Sequence, residues 1–143
     1  MSPLLFNIYI QELITEALEN SEDGVKVGGT LVNAVRFADG QAIVANSNAG
    51  LQRIMDNLNK TSQEYGMKIN IKKTKMMRIS RTEGRLLTVT INGNKLEQVK
   101  QFCYLGSMIT EDCRCHMEIK RIAIGKEAFN KRGELLRGKL QIE

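Results

Sequence analysis

The sequence predicts an α+β fold in which helices pack on one face of an antiparallel sheet, and three observations support that prediction. Apolar residues recur at helical spacing near residues 3–18, 48–65 and 112–136. Short apolar runs of strand length lie between these segments. An Asp-Gly pair at residues 39–40 and an Asn-Gly pair at residues 92–93 separate such runs and are strong signals for β-hairpins. The order helix, hairpin, helix, strands, helix is that of an α+β domain.

The first helix is expected to begin at Ser2 and Pro3. The serine hydroxyl is a typical N-cap, and proline fits the first helical position, where no backbone N–H is needed. Apolar residues recur along one side of this helix at Phe6, Ile10, Leu13 and Ala17. The helix should end near residue 18, and a small hairpin around Gly28 and Gly29 should follow it.

The next hairpin surrounds the tetrapeptide Phe37-Ala38-Asp39-Gly40. An Asp-Gly pair favours a two-residue type I′ turn with positive φ at both residues, which Gly40 would adopt without strain. The carboxylate of Asp39 would then stand at a rigid hairpin tip, which is a good place to bind a catalytic metal ion. On the tetrapeptide alone, a simple turn-forming role for Asp39 is the alternative.

A second helix is expected to begin after Ser47 or Asn48 and to end at Gly66, a typical C-terminal residue of helices. Its apolar stripe consists of Leu51, Ile54, Met55, Leu58 and Tyr65. Strands are expected over residues 67–71, 76–79, 86–91 and 99–105. Asn92 and Gly93 should form the turn of another hairpin. The last helical segment, over residues 112–136, carries Ile119, Ile122 and Phe129 on one side.

Length, composition and missing motifs limit the classes of protein to which this chain can belong. A chain of 143 residues is one domain or part of one, and it can bury a core of its own. The sequence contains no apolar run long enough to cross a bilayer. Its N-terminus lacks the basic region of a signal peptide, so an intracellular location, nucleus or cytoplasm, is expected. Phosphate-binding glycine loops, dinucleotide fingerprints and nucleophile elbows are absent from the sequence, and we predict no small-molecule cofactor.

The three cysteines are expected to be reduced thiols. Cys113, Cys115 and His116 lie together, but their spacing does not match a structural zinc site, which needs four ligands and usually takes them as two separated pairs.

Charge divides the chain into two unequal halves. Residues 1–65 contain four Lys or Arg against eight Asp or Glu, whereas residues 66–143 contain seventeen against eight. Residues 66–82 alone hold six basic side chains and no acidic one. Such asymmetry suggests a polyanionic partner for the second half, and a solvated basic face is the alternative.

Five short segments follow one another in a recognisable order, at residues 2–7, 37–40, 65–75, 102–106 and 119 onward. In this order and spacing they resemble the end of motif B, motifs C, D and E, and the start of the thumb in one family. That family is the reverse transcriptase (RNA-directed DNA polymerase) of non-LTR, LINE-type retrotransposons. The resemblance implies a partial palm over residues 1–110, with an antiparallel sheet and helices on one face, and the start of the thumb over residues 111–143.

The resemblance also implies an activity and its partners. The family extends a DNA primer on an RNA template with dNTPs and Mg²⁺, by two-metal nucleotidyl transfer. By position, Asp39 matches the first motif C aspartate, a metal ligand, and Lys73 matches the motif D lysine on the side of the leaving pyrophosphate. Lys72, Lys75, Tyr104 and Gly106 are the candidate nucleic-acid contacts. The residues expected to support these motifs are Phe37, Ala38, Gly40, Asn70, Thr74, Phe102 and Leu105.

Alternatives remain for several of these residues. The lysines around Lys73 are also consistent with a solvated strand edge. Asn70 and Thr74 could serve as turn and capping residues, and burial in a core strand is the default expectation for Phe102 and Leu105.

Two departures from the family pattern bear on activity. The second motif C aspartate of the family is Gly40 here, and the motif A aspartate would fall before residue 1. A lone carboxylate is a poor Mg²⁺ site, so we expect this chain to be a fragment that does not polymerise by itself. A non-catalytic nucleic-acid-binding remnant and a decayed reading frame with no selected function are the alternatives.

Overall fold

A computed structural model describes the chain over residues 3–19, 21–37, 40–80, 84, 86–114 and 116–131. Its helices are α1 (Pro3–Leu18), α2 (Asn48–Glu64) and α3 (His116–Lys131). Its strands are β1 (Val25–Val27), β2 (Thr30–Val32), β3 (Ala34–Phe37), β4 (Gly40–Ile43), β5 (Lys75–Met76), β6 (Thr90–Ile91), β7 (Asn94–Lys95), β8 (Glu97–Gln98), β9 (Gln101–Tyr104) and β10 (Ser107–Thr110). This is the predicted α+β class and the predicted order of helices and hairpins.

Helix α1 ends at Leu18, as expected, while its expected N-cap Ser2 lies outside the described residues. Its buried face consists of Leu13, Ile14 and Ala17. Ile14 was not part of the predicted stripe, although its side chain is only 1% exposed. Ile14 lies beside Leu13 on a face that α2 covers, so the covered part of α1 is wider than the sequence pattern indicates.

Helix α2 has both of its predicted ends. The Ser47 hydroxyl accepts a hydrogen bond from the N–H of Gly50 at 3.0 Å, which makes it the N-cap. At the other end Gly66 has a φ of +69°, and its N–H donates to the carbonyl of Gln63. The predicted stripe residues Ile54, Met55 and Leu58 are buried.

Two tyrosines join α1 to the C-terminal end of α2. The Tyr9 hydroxyl donates to the carbonyl of Tyr65 at 2.8 Å, and the Tyr65 hydroxyl donates to the Glu16 carboxylate at 2.8 Å. The two rings meet edge to face with their centroids 5.1 Å apart. The hydrogen bond to Glu16, together with burial, raises the pKa of Tyr65 to about 12. These contacts fix the crossing of the two helices.

An ion pair tethers α2 to the loop that follows α1. The guanidinium of Arg53 bonds both carboxylate oxygens of Asp23, at 2.6 and 2.8 Å, and this bonding lowers the pKa of Asp23. Gly50 packs against this ion pair: a Cβ atom at position 50 would lie only 2.6 Å from Asp23 Oδ1. The close approach explains a glycine in the first turn of a helix.

We predict that Gly50→Ala destabilises the protein, against the trend of helix propensity. Alanine should gain about 1 kcal/mol in an ordinary helix position. Here the methyl group must displace an Asp23 carboxylate that Arg53 holds at two points, and overpacking of this kind costs about 1–3 kcal/mol. Urea unfolding of Gly50→Ala beside Gly125→Ala, a helical glycine with open space at its Cβ position, measures the difference. A stabilised Gly50→Ala variant would contradict the prediction.

Three hairpins have two-residue turns with positive φ at both positions. These pairs are Gly28 and Gly29 between β1 and β2, Asn92 and Gly93 between β6 and β7, and Leu105 and Gly106 between β9 and β10. The first two turns were predicted from the sequence, and the third lies in the segment that resembles the motif E hairpin. All three have the backbone signature of type I′ turns, whose twist matches that of the flanking strands.

The β3–β4 hairpin exists as predicted, but its register differs from the expected one. Phe37 pairs with Gly40, and Gly40 is the first residue of β4 rather than a turn residue with positive φ. The observed register places Ala34 directly opposite Ile43, and both pack against the core. An Asp-Gly turn would have paired Ile43 with Arg36. Apolar packing at the base of the hairpin therefore prevails over the local turn preference.

The predicted single antiparallel sheet is wrong for the described residues, whose strands pair as five two-stranded sheets. Four of these are antiparallel hairpins, while β5 and β8 pair in parallel. The strand expected over residues 67–71 also does not form. Met67, Ile69 and Ile71 face the core as an alternating strand would, but their backbone pairs with no described strand.

One hydrophobic core unites α1, α2 and the strands that follow. Its buried members are Leu13, Ile14, Ala17, Met55, Leu58, Met76, Val89, Ile91 and Leu96. Helix α3 lies apart from this core, and its apolar residues Ile119, Ile122 and Phe129 are exposed. In the part of the chain that the structure describes, no helix is both long and apolar enough to cross a membrane.

Candidate functional site

The candidate site is centred on the β3–β4 hairpin. Its predicted metal ligand Asp39 and the neighbouring Ala38 lie outside the described residues. The residues on either side are described: the side chain of Phe37 is 65% exposed, and Gly40 is half-buried. The strands next to residue 39 therefore reach the protein surface.

The base of this hairpin is attached to the core and to α1. Ala34 and Ile43 form the pair farthest from the turn, and both contact the core cluster. Arg36 lies in the second pair from the turn, opposite Gln41, and its guanidinium donates to the carbonyl of Gln11 on α1 at 3.4 Å. These contacts orient the hairpin relative to the first helix.

Tyr104 contacts the same hairpin from a distant part of the sequence. Its hydroxyl lies 3.2 Å from the carbonyl oxygen of Val35 and 3.4 Å from that of Gly40. Tyr104 was predicted to be a nucleic-acid contact. The structure brings it to β3 and β4, so the segments that resemble motifs C and E adjoin.

Two residues of the β9–β10 hairpin that were expected to be buried, Phe102 and Leu105, are exposed. Phe102 is 37% exposed and Leu105 is 58% exposed, whereas a core strand would have covered both. Leu105 is a turn residue with a φ of +50°, and β9 pairs with β10 alone among the described strands. A two-stranded ribbon without a covering layer leaves side chains exposed.

Helix α3 holds this second hairpin through two side chains. The Glu118 carboxylate accepts a hydrogen bond from the N–H of Met108 at 2.7 Å. The guanidinium of Arg121 donates to the carbonyl of Gly106 and lies 3.3 Å from Glu118. Gly106, a predicted nucleic-acid contact, therefore has its carbonyl engaged within the protein.

The lysine-rich loop is built around Asn70. The Asn70 carbonyl accepts hydrogen bonds from the N–H of Lys73 at 3.1 Å and from the N–H of Thr74 at 2.9 Å. The Asn70 side chain also accepts from the N–H of Lys73, and the Thr74 hydroxyl donates back to Asn70. Asn70 and Thr74 thus act as turn residues, which was one of the two predicted roles.

The three predicted lysines differ in their surroundings. Lys72 and Lys73 are exposed on the turn, and within the described ranges neither side chain is hydrogen-bonded or ion-paired. Lys75 begins β5 and forms an ion pair with Glu97 at the start of β8. The two turn lysines are therefore available for anionic ligands, whereas Lys75 already has Glu97 as an ion-pair partner.

Sequence reasoning missed four residues that organise the site: Val35, Arg36, Glu118 and Arg121. Val35 acts through its carbonyl group, which any residue would supply, so no sequence signal marks it. Glu118 and Arg121 have the i, i+3 spacing of a helical ion pair, which was visible in the sequence but did not indicate a hairpin as the partner.

Over the residues that the structure describes, no group of three or more His, Cys, Asp or Glu side chains is placed to hold a metal ion. Cys103 and Cys113 are free and exposed. Asp39 lies outside the described residues and stays a predicted ligand.

Comparisons with known proteins identify a family and a relative. A family model described as "Reverse transcriptase (RNA-dependent DNA polymerase)" matches residues 1–109. The chain is similar to the "Retrovirus-related Pol polyprotein from type-2 retrotransposable element R2DM" of Drosophila melanogaster, with 36% identity over 73 residues. That match covers 51% of the chain and 7% of the relative, so the chain spans only a small part of the relative's length.

Proposed function

The chain belongs to the reverse transcriptase (RNA-dependent DNA polymerase) family, in the group found in non-LTR retrotransposons, and on that premise we propose its function. In our proposal the chain presents the motif C and motif E hairpins of such a polymerase to a template and primer. In this proposal residues 1–110 belong to the palm and residues 111–143 begin the thumb. The observation that supports it is the contact between Tyr104 and the β3–β4 hairpin, which joins the two segments that resemble motifs C and E from distant parts of the chain.

The proposed partners are an RNA template, a DNA primer and dNTPs. Lys72 and Lys73 are exposed cations on one tight turn, in the half of the chain where basic residues exceed acidic ones. Phosphate groups are the natural partners of such side chains. In this proposal Lys73 lies on the side of the leaving pyrophosphate, where an ammonium group stabilises developing negative charge.

The proposed cofactor of the family reaction is Mg²⁺, with Asp39 as a ligand. Its carboxylate is the kind of donor that Mg²⁺ prefers, but two or three carboxylates are needed to hold the pair of ions used in nucleotidyl transfer. Gly40 supplies no donor, so the tetrapeptide Phe37–Gly40 carries one carboxylate, that of Asp39. A single carboxylate does not make a complete magnesium site, and no catalytic step is assigned to this chain acting alone.

We predict that the purified chain incorporates no dNTP on an RNA template with a DNA primer. The expected rate equals that of Asp39→Ala, because a single hairpin carboxylate does not retain Mg²⁺ in the geometry that the reaction needs. A primer-extension gel with Mg²⁺ and with Mn²⁺ checks this. Templated extension that Asp39→Ala abolishes would contradict the prediction and make the chain an active polymerase.

Gly40→Asp is the informative companion variant. A Cβ at position 40 would lie 3.2 Å from the Phe37 carbonyl oxygen and 3.8 Å from the Tyr104 ring, so the hairpin accepts a side chain there after a small shift. Extension gained by Gly40→Asp would assign the inactivity of the native chain to the missing second carboxylate.

A second candidate function is nucleic-acid binding without catalysis. Gly40 favours this candidate, and equally a decayed reading frame, over an active polymerase, since the family's second motif C carboxylate is missing while the basic half of the chain is unaffected. A decayed reading frame with no selected function is the third possibility. Binding of an RNA–DNA hybrid by the folded chain distinguishes these two possibilities, because only non-catalytic nucleic-acid binding predicts such an affinity.

A further inference from the structure

The β3–β4 hairpin needs external support near its turn. It is a two-stranded sheet with no third described strand, and isolated ribbons of this kind are marginally stable in water. Its base packs on the core through Ala34 and Ile43, but Val35 and Phe37 are exposed. The β3 side of the hairpin near residue 39 therefore has no buried apolar side chain, and polar contacts contribute to its support.

Tyr104 makes such contacts with both strands. Its hydroxyl reaches the carbonyl of Val35 on β3 and that of Gly40 on β4, the residue that follows Asp39 in the sequence. Its ring lies against Gly40, since a Cβ there would be 3.8 Å from Tyr104 Cε2. The ring and the hydroxyl thus contact the same end of the hairpin.

The support continues beyond Tyr104 to α3. Tyr104 pairs with Ser107 across the β9–β10 turn. That turn is held by Arg121, and the adjoining strand β10 is held by Glu118, both on α3. A chain of polar contacts therefore runs from α3 through the β9–β10 hairpin to the β3–β4 hairpin.

We propose that Tyr104 is a positioning residue, which fixes the β3–β4 hairpin next to residue 39 and couples it to the β9–β10 hairpin and α3. The consequence for metal binding rests on the proposed role of Asp39. The positioning itself does not, because it concerns contacts among described residues. Tyr104 then acts on the palm hairpin through its hydroxyl rather than by touching the primer.

Amide hydrogen exchange on the full chain tests the proposal. Tyr104→Phe keeps the ring and removes the hydroxyl, and exchange at the β3 and β4 amides should become roughly 2- to 12-fold faster, the range for one lost hydrogen bond. Exchange in α2 should not change, whereas a merely structural loss of stability would accelerate exchange in α2 as well. Unchanged exchange in β3 and β4, or an equal acceleration in α2, would overturn the proposal.

Tyr9→Phe is the matched control. It also removes a tyrosine hydroxyl that donates to a backbone carbonyl, that of Tyr65, at 2.8 Å. It should accelerate exchange near the C-terminal end of α2 and leave β3 and β4 unchanged. An equal effect of Tyr9→Phe on β3 and β4 would also overturn the proposal, because the response would then not be specific to Tyr104.

An NMR measurement on the native chain tests the same contact without relying on the folding of a variant. The Hα protons of Gly40 lie beside the Tyr104 ring, so their NMR resonances should be displaced by the ring current and should show nuclear Overhauser contacts to the ring protons. Random-coil Gly40 shifts without such contacts would overturn the proposal. Neither experiment contains nucleotide or metal, so failure here is distinct from failure of the primer-extension test.

Discussion

Ile14→Ala is expected to lower the free energy of unfolding by about 2–5 kcal/mol, the range for truncation of a buried isoleucine. Ile14 is 1% exposed and lies on α1 in the cluster shared with Met55 and Leu58 of α2. Its removal leaves a cavity between two helices that the tyrosine contacts hold at a fixed crossing. The cavity cannot collapse fully, which favours the upper part of the range.

Ile8→Ala is the matched control, because it makes the same chemical change in the same helix. Ile8 is 54% exposed, and alanine has the higher helix propensity, so its expected effect is within about 0.5 kcal/mol. Chemical denaturation of the two variants beside the native chain gives the comparison. Equal effects of the two substitutions would show that α1 does not pack on α2 through Ile14.

Affinity for an RNA–DNA hybrid is expected to fall roughly 10²- to 10³-fold between 50 and 200 mM salt, if four to six phosphates are contacted. The physical reason is counterion release by the basic second half of the chain, with Lys72 and Lys73 among the contacts. Fluorescence anisotropy with a labelled hybrid over a salt series measures the slope of log affinity against log salt.

Two lysines of the same segment provide the control for this second prediction. Lys73→Gln should reduce the salt slope by about one, since an exposed phosphate contact is lost. Lys75→Gln should change the salt slope less, because Lys75 already forms an ion pair with Glu97. Absence of binding at 50 mM salt by a chain that unfolds cooperatively would exclude both the polymerase fragment and the binding remnant.

Local chemistry accounts for the features that the sequence predicted well. The hydroxyl of Ser47 and the conformational freedom of Gly66 determine the two ends of α2 within a few residues of themselves. The Asn92-Gly93 turn likewise depends on its own two residues, which accept positive φ. Family motifs added Asp39 and Lys73 as candidates, and these roles stay predictions.

The sequence by itself determined the α+β class, both ends of α2, the Gly28-Gly29 and Asn92-Gly93 turns and the charge asymmetry, because each depends on residues that are neighbours along the chain. Only the tertiary structure decided the register of β3 and β4, the burial of Ile14 and the contact of Tyr104 with Gly40. Each of these depends on which distant segment is the partner. Tyr104 and Gly40 are 64 residues apart, and no periodicity or turn preference links them. Packing at the base of the hairpin and a single hydroxyl near its turn bring them together.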